Sequence, residues 1–415
     1  MNLNYKLTKY ACYVNYLIGA CVFTLPPMLF VAFHETYSIS YTLLGTLVLT
    51  NFCTQFLIDL VFTIFGKKFN LSLTLKIMPM LVTVGFLVYA LIPMLAPQHA
   101  YTGLLIGTIL FSVSAGLSEV LLSAVIAALP SDNPERDMSA LHSLYGYGVV
   151  TTVVLSSIYL KVFGTANWMY LAMFWGIMQI IPCVMFFLAP IPNMDLHNEG
   201  TKKTDKKRYF GIALCFLCIF LGSAAENSMT NWISSFMESA LQIPKAVGDL
   251  LGLMVFAILL ALTRTWYAKY GKDISTVLLI GMIGASVCYV TAGLCPYPIV
   301  SMIACILVGI FSSMLWPGTL ILMEEKYPGL GVAAYAIMAA GGDFGASVAP
   351  QMIGIVVDNV AVSSWALEMS STLGITAEQI GMKTGILSAS IFPILGIFLL
   401  IFIKHYFKKN NTLAK

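Results

Sequence analysis

Apolar residues run along this chain in blocks of some two dozen positions, separated by short polar stretches that carry most of the charge. An α-helix of about 20 such residues crosses the roughly 30 Å of hydrocarbon in a bilayer. Twelve blocks of that length can be marked, at 10–33, 40–65, 73–96, 101–128, 138–160, 166–189, 209–236, 247–269, 274–294, 299–323, 331–357 and 384–406. The pattern predicts an all-α, polytopic membrane protein with twelve transmembrane helices. The polar segment 191–208 divides them into six and six, which predicts an N-terminal six-helix bundle at 1–190, a basic linker at 191–208 and a C-terminal six-helix bundle at 209–415. The stretch 358–383 is longer than the other connections and has room for a short surface helix.

Composition removes the soluble alternative. Of the 415 residues 59% are hydrophobic and 10% charged, against about 45–50% and about 25% in soluble domains. The basic residues fix a direction of insertion. Lys6, Lys9, Lys67, Lys68, Lys76, Arg136, the cluster from Lys202 to Arg208, Lys269, Lys272, Lys326 and the residues from Lys404 to Lys409 fall on one side, with only Lys161, Lys245 and Lys383 on the other. By the positive-inside rule both termini are expected in the cytoplasm, in an inner (cytoplasmic) membrane protein. The net charge of +3 follows from that bias, and no nucleic-acid module is present. The first apolar block is too long for a cleaved signal peptide and is read as the first helix.

Chemistry of the enzymatic kind finds no support. The nine cysteines lie almost wholly inside apolar blocks, where they pack as small polarizable residues, and Cys215-x-x-Cys218 lacks a second ligand pair. No HExxH, GxSxG or P-loop pattern occurs, so no cofactor, no metal and no enzyme activity is expected.

A repeat is more informative. Asp59 heads DLVFTIFGKK and Arg264 heads RTWYAKYGKD, each seven residues before a Gly-Lys pair (Gly66-Lys67 and Gly271-Lys272), at the end of the second block of its half. A charge inside a membrane helix costs about 2.5–3.5 kcal/mol on insertion scales, so both residues need partners, water or a function. The two segments resemble the loop motif that the major facilitator superfamily carries between its second and third helices and again between its eighth and ninth. That motif begins with Gly, with Asp four positions on and Arg next. Here those places hold Asp59, Thr63 and Ile64, so the acidic residue stands one helical turn deeper. The stretches ALPSDNPERDMSALHSLYGYG, LWPGT and GGDFGASVAP resemble the bacterial fucose-permease-like sugar:proton symporters. The resemblance spans nearly the whole chain. It implies the major facilitator fold, alternating access about a midplane site, and a protonatable Glu in the fourth helix, which is Glu119 here.

Polar residues spaced a turn apart in an apolar helix mark a face turned from lipid. Such rows are Asn51, Gln55 and Asp59 in the second block, Ser112, Glu119 and Ser123 in the fourth, Ser223, Glu226, Asn227, Thr230 and Ser234 in the seventh, and Asp343, Ser347 and Gln351 in the eleventh. Glu119, Glu226 and Asp343 are the candidate proton-coupling groups, because a carboxylate removed from water can exchange a proton near neutral pH. Each could equally be a structural hydrogen-bond partner. Asp59 and Arg264 are candidates for an opposite-sign gating pair. His142 could relay protons or simply close a helix end.

The deep ionisable residues are mostly acidic, so an obligate anion lacks a cationic clamp. A neutral polyhydroxylated solute or a cation fits better. Sugars are held by amide and carboxylate hydrogen bonds with an aromatic plate against the ring. Candidate substrate-binding residues are therefore Asn15, Gln55, His142, Tyr145, Asn227, Trp232 and Trp316, with Pro317 expected to disturb the tenth helix and free backbone groups. The expected protein is a proton-coupled symporter of a sugar-like solute, acting as a monomer in the lipid bilayer. An efflux antiporter for cationic or amphipathic compounds, or a non-transporting membrane sensor, would share many of these features.

Overall fold

The computed structural model describes residues 5–65, 68–132, 134–192, 206–271, 273–327 and 332–412. Gly66, Lys67, Lys272 and residues 193–205 of the linker lie outside them. Among the described residues, twelve helices are long and apolar enough to cross a membrane: Lys6–Met28, Tyr41–Phe62, Leu71–Leu95, Pro97–Ala128, Ala140–Phe163, Thr165–Leu188, Tyr209–Ala240, Lys245–Tyr267, Ile274–Leu294, Pro298–Lys326, Ala334–Ala361 and Ala377–Lys408. They are called the first to twelfth spans below. Helices are the solution here because every backbone N–H and C=O then bonds within its own segment, where hydrocarbon offers no partner.

The chain folds as two compact units, one of Met1–Ile39 with Thr50–His197 and the other of Ser40–Leu49 with Asn198–Lys415. The division expected from the linker places residues 40–49 with the first six spans; they pack with the second unit. The physical reason is local. Asp358 accepts from the backbone N–H groups of Tyr41 (3.0 Å) and Thr42 (2.6 Å) at the start of the helix Tyr41–Phe65. The Tyr41 hydroxyl donates to Glu378 at 2.6 Å, and a side chain on Gly354 would collide with the Tyr41 carbonyl at 2.3 Å.

In the first unit, the opening span runs as the helices Lys6–Gly19 and Cys21–Met28, with Pro26 and Pro27 near the end of the second, and a further helix, Phe30–Tyr37, follows. A proline supplies no N–H and crowds the preceding turn. The core is apolar and closely packed, with Cys12, Phe62, Met78, Leu121, Val125 and Phe186 all at 5% exposure or less. In the second unit, Gly345 of the eleventh span lies against the Phe220 carbonyl of the seventh, where a Cβ would come within 2.2 Å. Large apolar side chains such as Leu57, Ile158, Phe187, Val287 and Phe398 are exposed on the span surfaces. That is the surface a lipid solvent requires, and it would be a liability in water.

The connection expected at 358–383 is shorter than the apolar blocks suggested, and it carries the short helix for which the sequence left room, Ser364–Leu373. Asp358 lies inside the helix Val332–Ala361 and Lys383 inside Ala377–Ser388, so the anticipated long connection shrinks to a short stretch around the helix Ser364–Leu373. Thr376 starts the last span with a capping box closed by Gln379, a polar signal that apolar block length overlooks.

Candidate functional site

In the first unit, polar side chains of the second and fourth spans meet. Asn51 is 8% exposed and Gln55 2%. The Asn51 side-chain Oδ1 accepts from Gln55 Nε2 at 2.9 Å and from the Ser112 hydroxyl at 2.7 Å. One turn further along, Gly116 lies so close to the second span that a Cβ would stand 3.2 Å from Gln55 Cα and 3.1 Å from Ile58 Cβ. This contact brings the next acidic residues of both helices, Asp59 and Glu119, within electrostatic reach of each other. Tyr16 of the first span faces Glu119 in the same way, and the His142 ring stands edge-on to Tyr16 at 5.7 Å between centroids. Asn15 donates to Ser118 at 3.2 Å. Glu119 itself is exposed although it lies inside its span, a position that suits a side chain facing water and would be costly against lipid.

Tyr145 is 38% exposed with its ring edge-on to Phe23 at 5.9 Å. Of the residues expected in one role or another, the first unit thus collects Asn15, Gln55, Asp59, Glu119 and His142, and Asp59, expected at a gate, has Glu119 as its acidic neighbour.

The second unit contains an ion pair. Arg264 of the eighth span donates through Nη2 to both carboxylate oxygens of Glu226 in the seventh, each at 3.1 Å. Its Nε donates to the Ser313 carbonyl at 2.8 Å. That carbonyl is available for a covalent reason. In a continuous helix it would accept from the residue four positions on, which is Pro317 and has no N–H. The tenth span accordingly breaks between the helices Pro298–Ser312 and Leu315–Lys326. The expectation that Pro317 frees backbone groups meets a specific partner, the Arg264 guanidinium.

Around this pair, Asn227 donates to the Ser223 carbonyl (3.1 Å) and hydroxyl (3.2 Å). Asp343 is 5% exposed. The ring of Trp316 lies on the backbone of Gly342, where a Cβ would come within 2.2 Å of Cη2. Trp232 is fully buried. Its ring packs on Tyr41 at 5.9 Å and its N–H donates to the Pro350 carbonyl at 3.0 Å. The polar edge expected for a solute is therefore engaged in holding the seventh span to the eleventh.

Sequence reasoning missed the pairing of Glu226 with Arg264 because it assigned the two residues to separate tasks. The signal was present: opposite charges on consecutive spans, each too costly to leave alone. No group of three or more His, Cys, Asp or Glu side chains that could hold a metal occurs among the described residues.

A profile of the Major Facilitator Superfamily matches residues 12–350. The chain belongs to that superfamily. Solved structures with the same fold include a bacterial homolog to the human lysosomal transporter Spinster, inward-facing and occupied, at TM-score 0.74 and 13% identity over 97% of both chains. A D-xylose-proton symporter aligns at TM-score 0.73 and 15% identity, covering 94% of this chain and 97% of the other. The E. coli fucose:proton symporter aligns at 0.58 and 14%, covering 96% and 99%. At these identities the likeness is one of fold. No curated protein sequence matches the chain.

Proposed function

We propose that the protein is a secondary active transporter that moves a small, neutral, sugar-like solute across the cytoplasmic membrane by alternating access, coupled to protons and acting as a monomer. The observation that carries the solute class is the Glu226–Arg264 pair. The guanidinium fork that could clamp a carboxylate or phosphate is already held at 3.1 Å by a carboxylate of its own unit, so an anionic solute would have to displace Glu226. What remains for a solute in the second unit is neutral chemistry: the half-buried Asn227, next in sequence to Glu226, and Trp316 as the partly exposed aromatic. Symporters of D-xylose and fucose share the fold, which supports the same reading. So does a nucleoside transporter, whose solutes also carry sugar hydroxyls.

Proton coupling rests on Glu119, an exposed carboxylate within a span and next to Asp59. Two carboxylates within electrostatic reach are hard to ionise together, and uptake of one proton relieves the repulsion. Glu226 and Asp343 are the corresponding candidates of the second unit. Asp59 and Arg264 keep a gating role in this reading, Asp59 beside the like-charged Glu119 and Arg264 paired with Glu226.

The deciding experiment is a thermal-shift screen of purified protein against sugars, polyols, nucleosides and lipophilic cations at two pH values, followed by flux of each hit in energised vesicles. Sugar or nucleoside hits, with external alkalinisation that disappears in Glu119→Gln, are expected. Hits confined to lipophilic cations, with external acidification, would establish efflux instead. Ligand binding without flux would establish a sensor.

A further inference from the structure

Lys76 places a positive charge among exposed apolar side chains of the first unit, with Leu73 and Ile77 on either side of it. It stands five residues into the third span, Leu71–Leu95, which puts its Cα about 7.5 Å inside the helix start. Its ammonium lies over the ring of Phe187, near the end of the sixth span, at 5.9 Å from the centroid. Among the described residues no carboxylate forms an ion pair with it. A charge within a span is costly without a partner or water, and an exposed ring face attracts a cation only weakly.

The seam that carries this lysine is firmly built. The Cys183 thiol donates to the Lys76 carbonyl at 3.4 Å, and the Thr83 hydroxyl donates to the Gly176 carbonyl at 2.8 Å. A Cβ on Gly176 would stand 2.8 Å from Phe86 Cβ. The third and sixth spans are therefore held together, in opposite directions, from the level of Lys76 inward past Thr83.

A strip of apolar surface leads away from the ammonium along this seam. Residues a turn apart share a helix face, so Met80 and Val84 follow Lys76 on the third span, and Val184 and Ile180 precede Phe187 on the sixth. All four are exposed, as is Phe187. Because the spans are antiparallel, both rows run from the charged end toward the membrane interior. A cation near the helix start with an apolar strip running inward from it complements a molecule made of an anionic head and an acyl chain. A free anion would use the cation alone, and an uncharged lipid the strip alone.

We propose that the seam between the third and sixth spans binds an anionic phospholipid, its phosphate on the Lys76 ammonium and one acyl chain along Met80, Val84, Ile180 and Val184. The Phe187 ring keeps the ammonium at headgroup level, where aromatic side chains are concentrated in membrane proteins. The lipid phosphate supplies the counter-charge for Lys76. The site involves neither the solute nor the proton-coupling carboxylates, so it stands or falls apart from the transport reading.

The test is native mass spectrometry of the purified protein, titrated in detergent with phosphatidylglycerol or with phosphatidylcholine of the same acyl chains. The wild type is expected to bind the anionic lipid more tightly. Lys76→Gln should weaken phosphatidylglycerol binding about fivefold, the contribution of one lysine near an anionic lipid surface, and Lys76→Arg should restore it. Phe187→Leu keeps an apolar side chain without the ring and should weaken binding by a smaller factor. Equal affinity of wild type and Lys76→Gln for phosphatidylglycerol would overturn the proposal and leave the ammonium extended into water. Equal affinity of the wild type for the two lipids would overturn it as well, and that comparison needs no variant to fold. Glycerol phosphate, the head without its chains, should not displace the lipid; displacement at equal concentration would overturn the assignment to a phospholipid.

Discussion

Arg264 binds both oxygens of Glu226 and, through Nε, the carbonyl of Ser313. One side chain thereby ties the seventh, eighth and tenth spans of the second unit. The chain has placed a proline at 317 so that this carbonyl is free, and an arginine where it can be reached.

Replacing Glu226 by Gln should therefore leave a guanidinium without its counter-charge. The Arg264 side chain is 39% exposed, so water screens the loss and the expected destabilisation is about 1–2 kcal/mol. Arg264→Gln should cost a similar amount, and the double variant less than the sum of the singles. Denaturation midpoints in detergent measure this; strictly additive effects would show that the pair is not energetically coupled.

The two glycines of Tyr145-Gly146-Tyr147-Gly148 should respond in opposite ways. A Cβ on Gly148 would lie 2.1 Å from the Leu17 carbonyl, whereas nothing lies within 4 Å of one on Gly146. Gly148→Ala is expected to destabilise by about 1–3 kcal/mol through overpacking. Gly146→Ala should be neutral or stabilising by about 0.5–1 kcal/mol, since alanine is the better helix former. Equal melting temperatures for the two variants would contradict the close contact of the first and fifth spans.

Asp358 caps a helix from a distant part of the sequence. Asp358→Ala should lose both hydrogen bonds to the N–H groups of Tyr41 and Thr42, at about 0.5–2 kcal/mol, and Asp358→Asn should retain part of that. Faster proteolysis near residues 40–49 in Asp358→Ala, and not in Asp358→Asn, is the expected signature. Identical digestion patterns would show that the cap does not hold this segment.

Asp137 lies before the fifth span. The Lys9 ammonium, and after it the Ser131 hydroxyl, hold its carboxyl below the usual carboxylate range. A depressed folded-state value means that the pair stabilises the fold above about pH 4. That contribution disappears as pH falls through the lower folded value. Asp137→Asn should therefore melt below wild type near neutral pH, with the difference closing in acid. A gap that stays constant down to the most acidic sample would rule out this linkage.

Trp232 offers a contrast between packing and recognition. Trp232→Ala should cost about 3–5 kcal/mol by opening a cavity. Trp232→Phe should lose mainly the hydrogen bond to Pro350 and leave the affinity of any transported solute unchanged. A large loss of affinity in a stably folded Trp232→Phe would return this residue to the solute site.

Much was legible in the chain alone. The apolar blocks determined twelve spans because crossing hydrocarbon is a local requirement, met or failed by about 20 consecutive residues. Asn51, Gln55 and Asp59, or Ser223, Glu226 and Asn227, could be read as inward faces because helical periodicity is local too. Even the effect of Pro317 could be anticipated, since it follows from one missing N–H.

Tertiary structure decided which charges meet. Nothing in the residues near Asp59 indicates that Glu119 is its neighbour, or that Arg264 belongs to Glu226; those pairings depend on which helix faces touch, at Gly116 in one unit and at the break after Ser312 in the other. The cluster of Ser234, Glu238, Lys245 and Asp249, in which the Lys245 ammonium lies 3.2 Å from Glu238 and 3.5 Å from Asp249, escaped for the same reason. Its members look like ordinary polar residues at the ends of two apolar blocks until the connecting turn folds them onto one another. Periodicity shows which way a side chain points, but the partner it finds is set by packing between segments, and in a low-dielectric interior the partner decides whether a charge is a structural tie or a proton site.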